Sequence, residues 1–269
     1  MSLQQEIIER LGVKPEIDPQ AEIRRRVDFL KQYVKQSGTS GLLIAISGGI
    51  DSAVAAGLCK LATDELSEEA GREYMTLGVF QPYSEQTDIH DSYAVAEAFN
   101  LKHLVETNIG ETVDEIAIEV EHGFKKLGMP RHLSRGGKGN VKARTRMVVQ
   151  YALAFDLNLL VVGTDHASEA ITGFYTKWGD GAVDITPLST LNKRQVRQLA
   201  AELGVPQSVL DKAPTAGLWD GQTDEGELGI LYDENSAYLE GKDIGAEAKE
   251  KLEKQYLKTE HKRSPIPGI

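Results

Sequence analysis

The sequence Ser-Gly-Gly-Ile-Asp-Ser at residues 47–52 combines residue types that can bind phosphate. It follows an apolar run of strand length and leads into a helix of small residues, which places a glycine turn at a helix N-terminus. Glycine lets backbone N–H groups approach phosphate oxygens, and the hydroxyl groups of Ser47 and Ser52 add donors. An acid beside phosphate is repelled unless a divalent cation lies between them, so Asp51 predicts a bound Mg²⁺. The alternative is a purely structural turn.

Two other phosphate-binding patterns are missing from the sequence. It contains neither G-x-x-x-x-G-K-[ST], which would supply a P-loop lysine, nor the dinucleotide fingerprint G-x-G-x-x-G. The phosphate site predicted at residues 47–52 therefore belongs to neither of these classes.

Helical and extended patterns alternate along the chain, which predicts an α/β fold: a doubly wound parallel five-stranded sheet with helices on both faces. A glycine-rich basic loop is expected at residues 131–139. The chain reads as one domain, with N-terminal helices (1–40), a nucleotide-binding core (41–215) and a C-terminal helical tail (216–269). The strands are expected at residues 42–46, 74–80, 103–109, 159–162 and 183–187. The helices are expected at residues 3–11, 21–36, 52–61, 89–99, 113–127, 140–156, 192–203 and 245–262.

In such sheets ligands bind beyond the carboxyl ends of strands, where the strand order reverses. If the fourth strand lies beside the first, its exit at residues 163–170 shares a crevice with the glycine turn. Glu169 would then share a magnesium ion with Asp51, and the hydroxyl group of Thr164 would meet ribose or phosphate. Helix capping is the alternative for Thr164 and Glu169. For His166 a structural role is favoured, because magnesium prefers oxygen ligands.

The helix expected at residues 140–156 carries an arginine among apolar residues. At about 100° per residue, Arg144 falls near the middle of an apolar arc, whereas Lys142 and Arg146 fall on the opposite side. A guanidinium that faces inward is costly unless an anion accompanies it. We therefore expect Arg144 to pair with an internal acid or with the negative charge of a substrate, and Lys142 and Arg146 to lie in solvent. The arc consists of Met147, Val148, Tyr151, Ala152 and Phe155.

Residues 173–184 are rich in aromatic rings, glycine and charges of both signs. The rings can stack on a planar heterocycle, Lys177 suits phosphate and Asp184 suits a ribose diol. A surface loop that packs its own rings is the competing interpretation. Lys193 opens a helix near the same edge of the sheet, and Thr215 follows in an extended segment.

The amino-acid composition limits which binding partners and which cellular location are expected. Thirty basic and 41 acidic residues give a net charge of −11, which argues against nucleic-acid binding because phosphate neutralisation needs a basic face. The single cysteine, Cys59, allows no disulfide framework and favours a reducing, cytoplasmic location. The first six residues do not read as a secretory signal, and no apolar run approaches the ~20 residues of a membrane span. We expect neither a nucleic acid nor a membrane as partner.

Four further stretches, taken together with residues 47–52, resemble the ammonia-dependent NAD synthetases, which belong to the ATP pyrophosphatases. They are residues 140–144, 163–174, 175–181 and 256–263. The resemblance covers nearly the whole chain and implies an adenine nucleotide alpha hydrolase-like fold. It also implies a reaction in which ATP adenylates the nicotinate carboxylate of deamido-NAD and releases pyrophosphate. Ammonia then displaces AMP and leaves the amide of NAD.

The same resemblance implies roles for individual residues. Asp51 and Glu169 would hold Mg²⁺. Apart from the resemblance, the second step needs NH₃ rather than NH₄⁺, and Asp180 is the candidate acid for binding ammonium and taking its proton. The family is homodimeric, with the dinucleotide at the subunit interface, so a second copy is expected beside ATP, ammonia and deamido-NAD. ATP would be held by Ala45, Ile46, Ser47, Gly48, Gly49, Ile50, Asp51, Ser52, Thr164, Lys193 and Thr215. Deamido-NAD would be held by Arg144, Lys177, Asp184, His261 and Lys262.

Rival functions share parts of this pattern. The same chemistry could adenylate another oxygen, as in GMP synthesis or tRNA thiolation, although the acidic composition disfavours tRNA. Glutamine-dependent synthetases carry an added amidotransferase domain with a catalytic cysteine. Because Cys59 is the only cysteine of the sequence, free ammonia is the expected nitrogen source. A nucleotide sensor without catalysis would leave Asp51, Glu169 and an inward Arg144 without a purpose.

Overall fold

The central feature of the computed structural model is a parallel sheet, and residues 2–212 and 223–268 of the chain are described. The strands of the sheet are β1 (Gly41–Ala45), β2 (Met75–Phe80), β3 (His103–Glu106) and β4 (Leu160–Val162). They lie in the order β3-β2-β1-β4, and all three pairings are parallel. β1 therefore has β2 on one side and β4 on the other, so the strand order reverses next to β1. This reversal is the position at which open α/β sheets bind ligands.

Thirteen helices lie within the described residues, and none of them is both long enough and apolar enough to cross a membrane. The first five, from the start of the chain to the helix that follows β3, are α1 (Leu3–Leu11), α2 (Pro19–Ser37), α3 (Ile50–Ala70), α4 (Ile89–Ala98) and α5 (Gly110–Lys126). The central ones are α6 (Arg135–Leu157), α7 (Ala167–Thr172), α8 (Lys193–Leu203) and α9 (Gln207–Leu210). The tail contains α10 (Asp224–Leu228), α11 (Tyr232–Leu239), α12 (Ala246–Lys258) and α13 (Glu260–Arg263).

The sheet is buried between two helical layers. Leu42 and Ile44 of β1 pack into one cluster with apolar residues of α2, α3 and α8. Leu43 points to the other face, where it packs with Val161 of β4 and Ala154 of α6. Successive side chains of a strand alternate between faces, so this arrangement explains why β1 is apolar at every position. The predicted α/β fold with helices on both faces is confirmed, whereas its domain boundaries at residues 40 and 215 stay a prediction.

The prediction of a fifth strand at residues 183–187 is wrong. Within the described chain, this segment forms only an isolated parallel bridge, between Ile185 and Val162. The carboxylate of Asp184 accepts the backbone N–H of Val161 at 2.8 Å, so a side chain takes a donor that a strand would use. Pro187 has no N–H to offer at the other end. The sheet of the described residues therefore has four strands.

The start of α6 also differs from the prediction. The helix begins at Arg135, inside the loop expected at residues 131–139, because Ser134 caps it. The Ser134 hydroxyl oxygen accepts the backbone N–H of Gly137 at 3.1 Å. A serine cap thus outweighs the low helix propensity of the two glycines that follow Arg135.

Candidate active site

The glycine turn joins β1 to α3 and is held by its own serines. Gly48 has φ +78°, and a Cβ atom there would lie 3.2 Å from the side chain of Asp91, so both conformation and space favour glycine. The hydroxyl of Ser52 donates to the carbonyl oxygen of Gly49 at 2.9 Å and accepts the backbone N–H of Ser47 at 3.2 Å. The turn is therefore preformed, with the N-terminus of the 21-residue helix α3 directly behind it.

Three elements bring charged side chains together beside this turn. Asp51 lies in the first turn of α3, Glu169 in the first turn of α7, and Lys193 is the first residue of α8. The ammonium nitrogen of Lys193 lies 2.8 and 2.7 Å from the two carboxylate oxygens of Asp51. His166 Nε2 lies 3.3 Å from Asp51 Oδ1 and 3.7 Å from Glu169 Oε2. Residues 142 positions apart thus share one cleft at the exits of β1 and β4.

The local charges shift the two carboxyl groups in opposite directions. Burial raises the pKa of Asp51, but the Lys193 ammonium and His166 outweigh this effect and hold the pKa below its usual range. Burial raises the pKa of Glu169 to about 8; His166 opposes this shift, and the Asp51 carboxylate adds to it. Near neutral pH Asp51 is therefore ionised, and Glu169 holds a proton that an arriving cation would displace.

The cluster fits a hard divalent cation. Ligand atoms of Asp51, His166 and Glu169 all lie within 4.8 Å of one another. The ammonium of Lys193 already contacts both oxygens of Asp51, so the cleft accommodates positive charge at this place. Carboxylate oxygens are the ligands that hard divalent cations prefer.

A second group of predicted residues meets where the loop after α7 contacts the tail. Gly173 ends α7, and a Cβ atom on it would lie 2.4 Å from Thr259, so the loop and the tail approach closely. Lys262 donates from Nζ to the carbonyl oxygens of Gly173 and Tyr175 at 2.6 and 2.5 Å. Lys177 donates from Nζ to the carbonyl oxygen of His261 at 2.6 Å. The structure thus brings Lys177, His261 and Lys262 together.

Asp180 lies in the same loop, and its carboxylate accepts the backbone N–H of Thr176 at 2.8 Å. Burial raises the pKa of Asp180, an effect that the hydrogen bond from Thr176 opposes. Burial, and next the negative charge of Asp180, raise the pKa of Asp165 well above its usual range. These acids therefore form a proton-binding region on the exit side of β4.

The prediction that Arg144 faces inward is wrong. Arg144 is exposed and donates to Asn140 Oδ1 at 3.1 Å and to the carbonyl oxygen of Lys177 at 3.0 Å. Arg146, expected in solvent, is half-buried and donates from Nε to the carbonyl oxygen of Gln81 at 3.1 Å. Burial lowers the pKa of Arg146, an effect that Asp180 opposes. Arg144 nevertheless lies against the loop that carries Lys177.

The reason is the side of α6 that meets the sheet: Ala154 is buried there with Leu43 and Val161, and Tyr151 and Leu153 pack against them. Ala143 and Ala154 are buried, whereas Phe155 of the predicted apolar arc is 87% exposed and Val148 is 59% exposed. The part of the arc formed by Val148 and Phe155 therefore lies at the surface of the described chain, and Arg144 lies there with it, whereas Tyr151 packs toward the sheet.

Of the remaining predicted site residues, Asp184 and Thr164 do not join either of these two groups within the described residues. Asp184 is exposed, and its carboxylate accepts the hydroxyl of Tyr151 at 3.1 Å in addition to the N–H of Val161. Thr164 is half-buried, two residues after β4. Thr215 lies outside the described residues.

Two residues at the site were missed in the sequence. Tyr232, the first residue of α11, is buried, and the ammonium nitrogen of Lys193 lies 5.1 Å from the centre of its ring. Lys212 forms ion pairs with Asp88 and Asp91 and lies 3.4 Å from the carbonyl oxygen of Gly48. Neither contact follows a local spacing, since each joins segments far apart in the chain.

Fold and site together define a class of protein. A glycine turn that leads into a helix at the strand-order reversal of a parallel α/β sheet, with acids and a lysine beside it, is that of an ATP-using enzyme of the adenine nucleotide alpha hydrolase-like fold.

Comparison with known proteins gives the family. A model described as NAD synthase matches residues 22–266. The NH3-dependent NAD+ synthetase of Bacillus thuringiensis (strain Al Hakam) is 47% identical over 266 residues, which cover 98% of this chain and 96% of that protein. The chain belongs to the NAD synthase family, and the predicted ligase class is thereby confirmed.

Solved structures agree with this assignment. The NMN synthetase from Francisella tularensis superposes with a TM-score of 0.83 at 34% identity, covering 94% of this chain and 99% of that one. The NAD+ synthetase from Burkholderia pseudomallei superposes with a TM-score of 0.83 at 32% identity, covering 97% of this chain and 95% of that one.

Proposed function

We propose that this chain amidates deamido-NAD to NAD with ATP and free ammonia, releasing AMP and pyrophosphate. The observation that carries the proposal is the convergence of Asp51, Glu169 and Lys193 beside the glycine turn. The NH3-dependent NAD+ synthetases to which the chain is similar support the same reaction.

ATP binds along the turn and the exits of β1 and β4 in this proposal. Backbone N–H groups and hydroxyl groups of the turn hold the phosphates, and Lys193 adds a positive charge once phosphate offers it a partner other than Asp51. The residues assigned to ATP are Ala45, Ile46, Ser47, Gly48, Gly49, Ile50, Asp51, Ser52, Thr164, Lys193 and, outside the described residues, Thr215.

Asp51 and Glu169 would hold Mg²⁺, because two carboxylates on facing helix starts offer the oxygen ligands that this ion prefers. When bound, the ion offsets the negative charge that develops on the leaving pyrophosphate. Glu169 would release its proton on loading, since its pKa of about 8 lies above that of an ordinary carboxyl group.

The chemistry proceeds in two balanced steps. A nicotinate carboxylate oxygen attacks the α-phosphorus of ATP, the bond to the β-phosphate breaks, and pyrophosphate leaves. Ammonia then attacks the activated carbonyl carbon, the bond to AMP breaks, and the nitrogen releases one proton as the amide forms. Positioning of the two anions supplies most of the rate in this scheme, because no side chain serves as a nucleophile.

Asp180 would bind ammonium and take its proton before the second step. The pKa of its carboxyl group is raised, which makes its carboxylate a stronger base than an ordinary one. Deamido-NAD would contact Arg144, Lys177, Asp184, His261 and Lys262, of which Arg144 and Lys177 are already joined through a backbone carbonyl group.

A second copy of the chain would complete the site in a homodimer. Apolar side chains stay exposed on α5 and α6, and Arg144 shares α6 with them. Apolar patches of this kind commonly mark protein interfaces. The exposed side chains are Ile116, Ile118, Val148, Phe155 and Leu157. A cytoplasmic location is also proposed, because Cys59 is a buried free thiol.

The mononucleotide deamido-NMN is a second candidate substrate, because one of the similar solved structures is described as an NMN synthetase. The curated relatives at 47% identity favour the dinucleotide. Purified protein should be incubated with ATP, Mg²⁺, ammonium and either deamido compound, and the products separated by chromatography. We expect AMP, pyrophosphate and NAD, with a higher kcat/KM for deamido-NAD. ADP and phosphate as products would refute adenylation, and a preference for deamido-NMN would establish the second candidate.

A further inference from the structure

His166 lies at the centre of the candidate site without a role assigned to it. It precedes α7, and its backbone carbonyl accepts the N–H of Ala170 at 2.9 Å, which makes it the cap residue of that helix. Its side chain takes no part in this cap. The ring is nonetheless fully buried, so capping does not explain why an imidazole occupies the position.

The ring nitrogens have different surroundings. Nε2 faces Asp51 Oδ1 at 3.3 Å and Glu169 Oε2 at 3.7 Å. Nδ1 is buried and has no hydrogen-bond partner among residues 2–212 and 223–268. A neutral imidazole carries one proton, and two acceptors lie at Nε2 and none at Nδ1, so the proton belongs on Nε2. Two of the three protons of the Lys193 ammonium go to the oxygens of Asp51, at 2.8 and 2.7 Å, and Nε2 is the more distant partner of the third, at 3.4 Å.

The ring is also fixed in orientation. Tyr232 packs edge-on against it, with ring centres 6.3 Å apart, and the Tyr232 hydroxyl donates to Asp224 Oδ2 at 3.0 Å. Nε2 is therefore held by a rigid support at 3.3 Å from Asp51 Oδ1 and 3.7 Å from Glu169 Oε2, while each acid lies on a different helix.

We propose that His166 is a positioning residue of the metal site. Its Nε2–H group lies between the carboxyl groups of Asp51 and Glu169, sets their rotamers and reduces their repulsion, so that both present oxygens to one cation. This inference rests on the proposed function, in which these two acids hold the metal. It predicts that the N–H group at Nε2, and not the volume of the ring, is what the site requires.

Two amide substitutions separate these possibilities. The amide nitrogen of glutamine reaches the position of Nε2, whereas that of asparagine reaches only the position of Nδ1. We expect His166→Gln to bind Mn²⁺ within about threefold of wild type and His166→Asn to bind it at least tenfold more weakly. Binding is measured from the electron paramagnetic resonance signal of free Mn²⁺, with α,β-methylene-ATP present so that no turnover occurs. Circular dichroism and thermal unfolding verify that each variant is folded.

Asp51→Asn serves as the reference for loss of the metal site. If it weakens Mn²⁺ binding while His166→Asn binds as wild type does, the positioning role is refuted and the metal assignment stands. Equal weakening by His166→Gln and His166→Asn would also refute it, because ring packing would then be the requirement. If Asp51→Asn binds Mn²⁺ normally, the metal assignment of the proposed function fails, and the positioning role fails with it.

Discussion

Removal of the Lys193 ammonium is the perturbation whose size follows most directly from the structure. The Lys193 side chain is 3% exposed and contacts both oxygens of Asp51, which is 21% exposed. In Lys193→Met the carboxylate loses this partner inside a partly buried cleft. Breaking a buried pair by removing one member costs ~3–5 kcal/mol. The residual exposure of Asp51 places the cost near the lower value, and the ΔTm expected for a chain of this size is then about 6–12 °C.

The measurement is thermal unfolding by circular dichroism at pH 7.5 without divalent metal or nucleotide. The double variant Lys193→Met/Asp51→Asn should regain most of the loss, because it removes the unpaired charge as well. Lys35→Met, which breaks an exposed pair with Glu69, is the matched control and should shift Tm by less than about 2 °C. A Tm of Lys193→Met within 2 °C of wild type, or no recovery in the double variant, would refute the assigned energetics.

Three further predictions follow from the same geometry. The pKa of Glu169 is raised from 4.5 to about 8, so the metal-free folded state binds its proton more tightly than the unfolded state, and stability should fall as pH rises from about 4.5 to 8. Urea unfolding at pH 5 and pH 8.5 should show Glu169→Gln losing roughly 3–5 kcal/mol less than wild type over this range, and equal losses would contradict the shift. Asp180→Asn should slow NAD formation about 100-fold or more while deamido-NAD-dependent exchange of pyrophosphate into ATP continues; loss of both rates alike would place Asp180 outside the ammonia step. Phe155→Asp should give a monomer in sedimentation analysis, with Leu61→Asp on α3 as the exposed apolar control, and an unchanged mass for Phe155→Asp would refute the proposed interface.

The sequence was sufficient to predict most of the elements and the two exit loops, but neither the number of strands nor the start of α6. Apolar runs marked β1, β2 and β4, and the glycine turn with its serines marked the start of α3. The pairing of Asp51 with Glu169 followed from one rule, that strands on either side of a strand-order reversal have their exits in one crevice. Local chemistry and a general property of parallel sheets thus predicted that Asp51 and Glu169 lie close together, as they do in the structure.

Hydrophobic periodicity did not predict which face of a helix packs against the sheet. It located the apolar arc of α6 but could not tell which part of the arc meets the sheet: Tyr151 packs there beside Ala154, whereas Val148 and Phe155 lie at the surface. The predicted inward orientation of Arg144 was wrong for that reason. The prediction of a fifth strand was wrong because the carboxylate of Asp184 accepts the backbone N–H of Val161. Strand propensities do not describe such a contact between a side chain and a distant backbone group.

Contacts between distant segments left no trace in local patterns. Tyr232 meets Lys193 only because α11 of the tail packs on α8. His166 has the sequence environment of a helix cap, and only its burial between two acids distinguishes it from one.

The central claim is that Asp51 and Glu169 converge on one cation at the phosphates of ATP. Anomalous scattering from crystals grown with Mn²⁺ and α,β-methylene-ATP tests it most directly. We expect a manganese peak bound by both carboxylates and by phosphate oxygens, with Lys193 moved from Asp51 to the nucleotide. A peak that neither carboxylate contacts, with Lys193 still paired to Asp51, would contradict it.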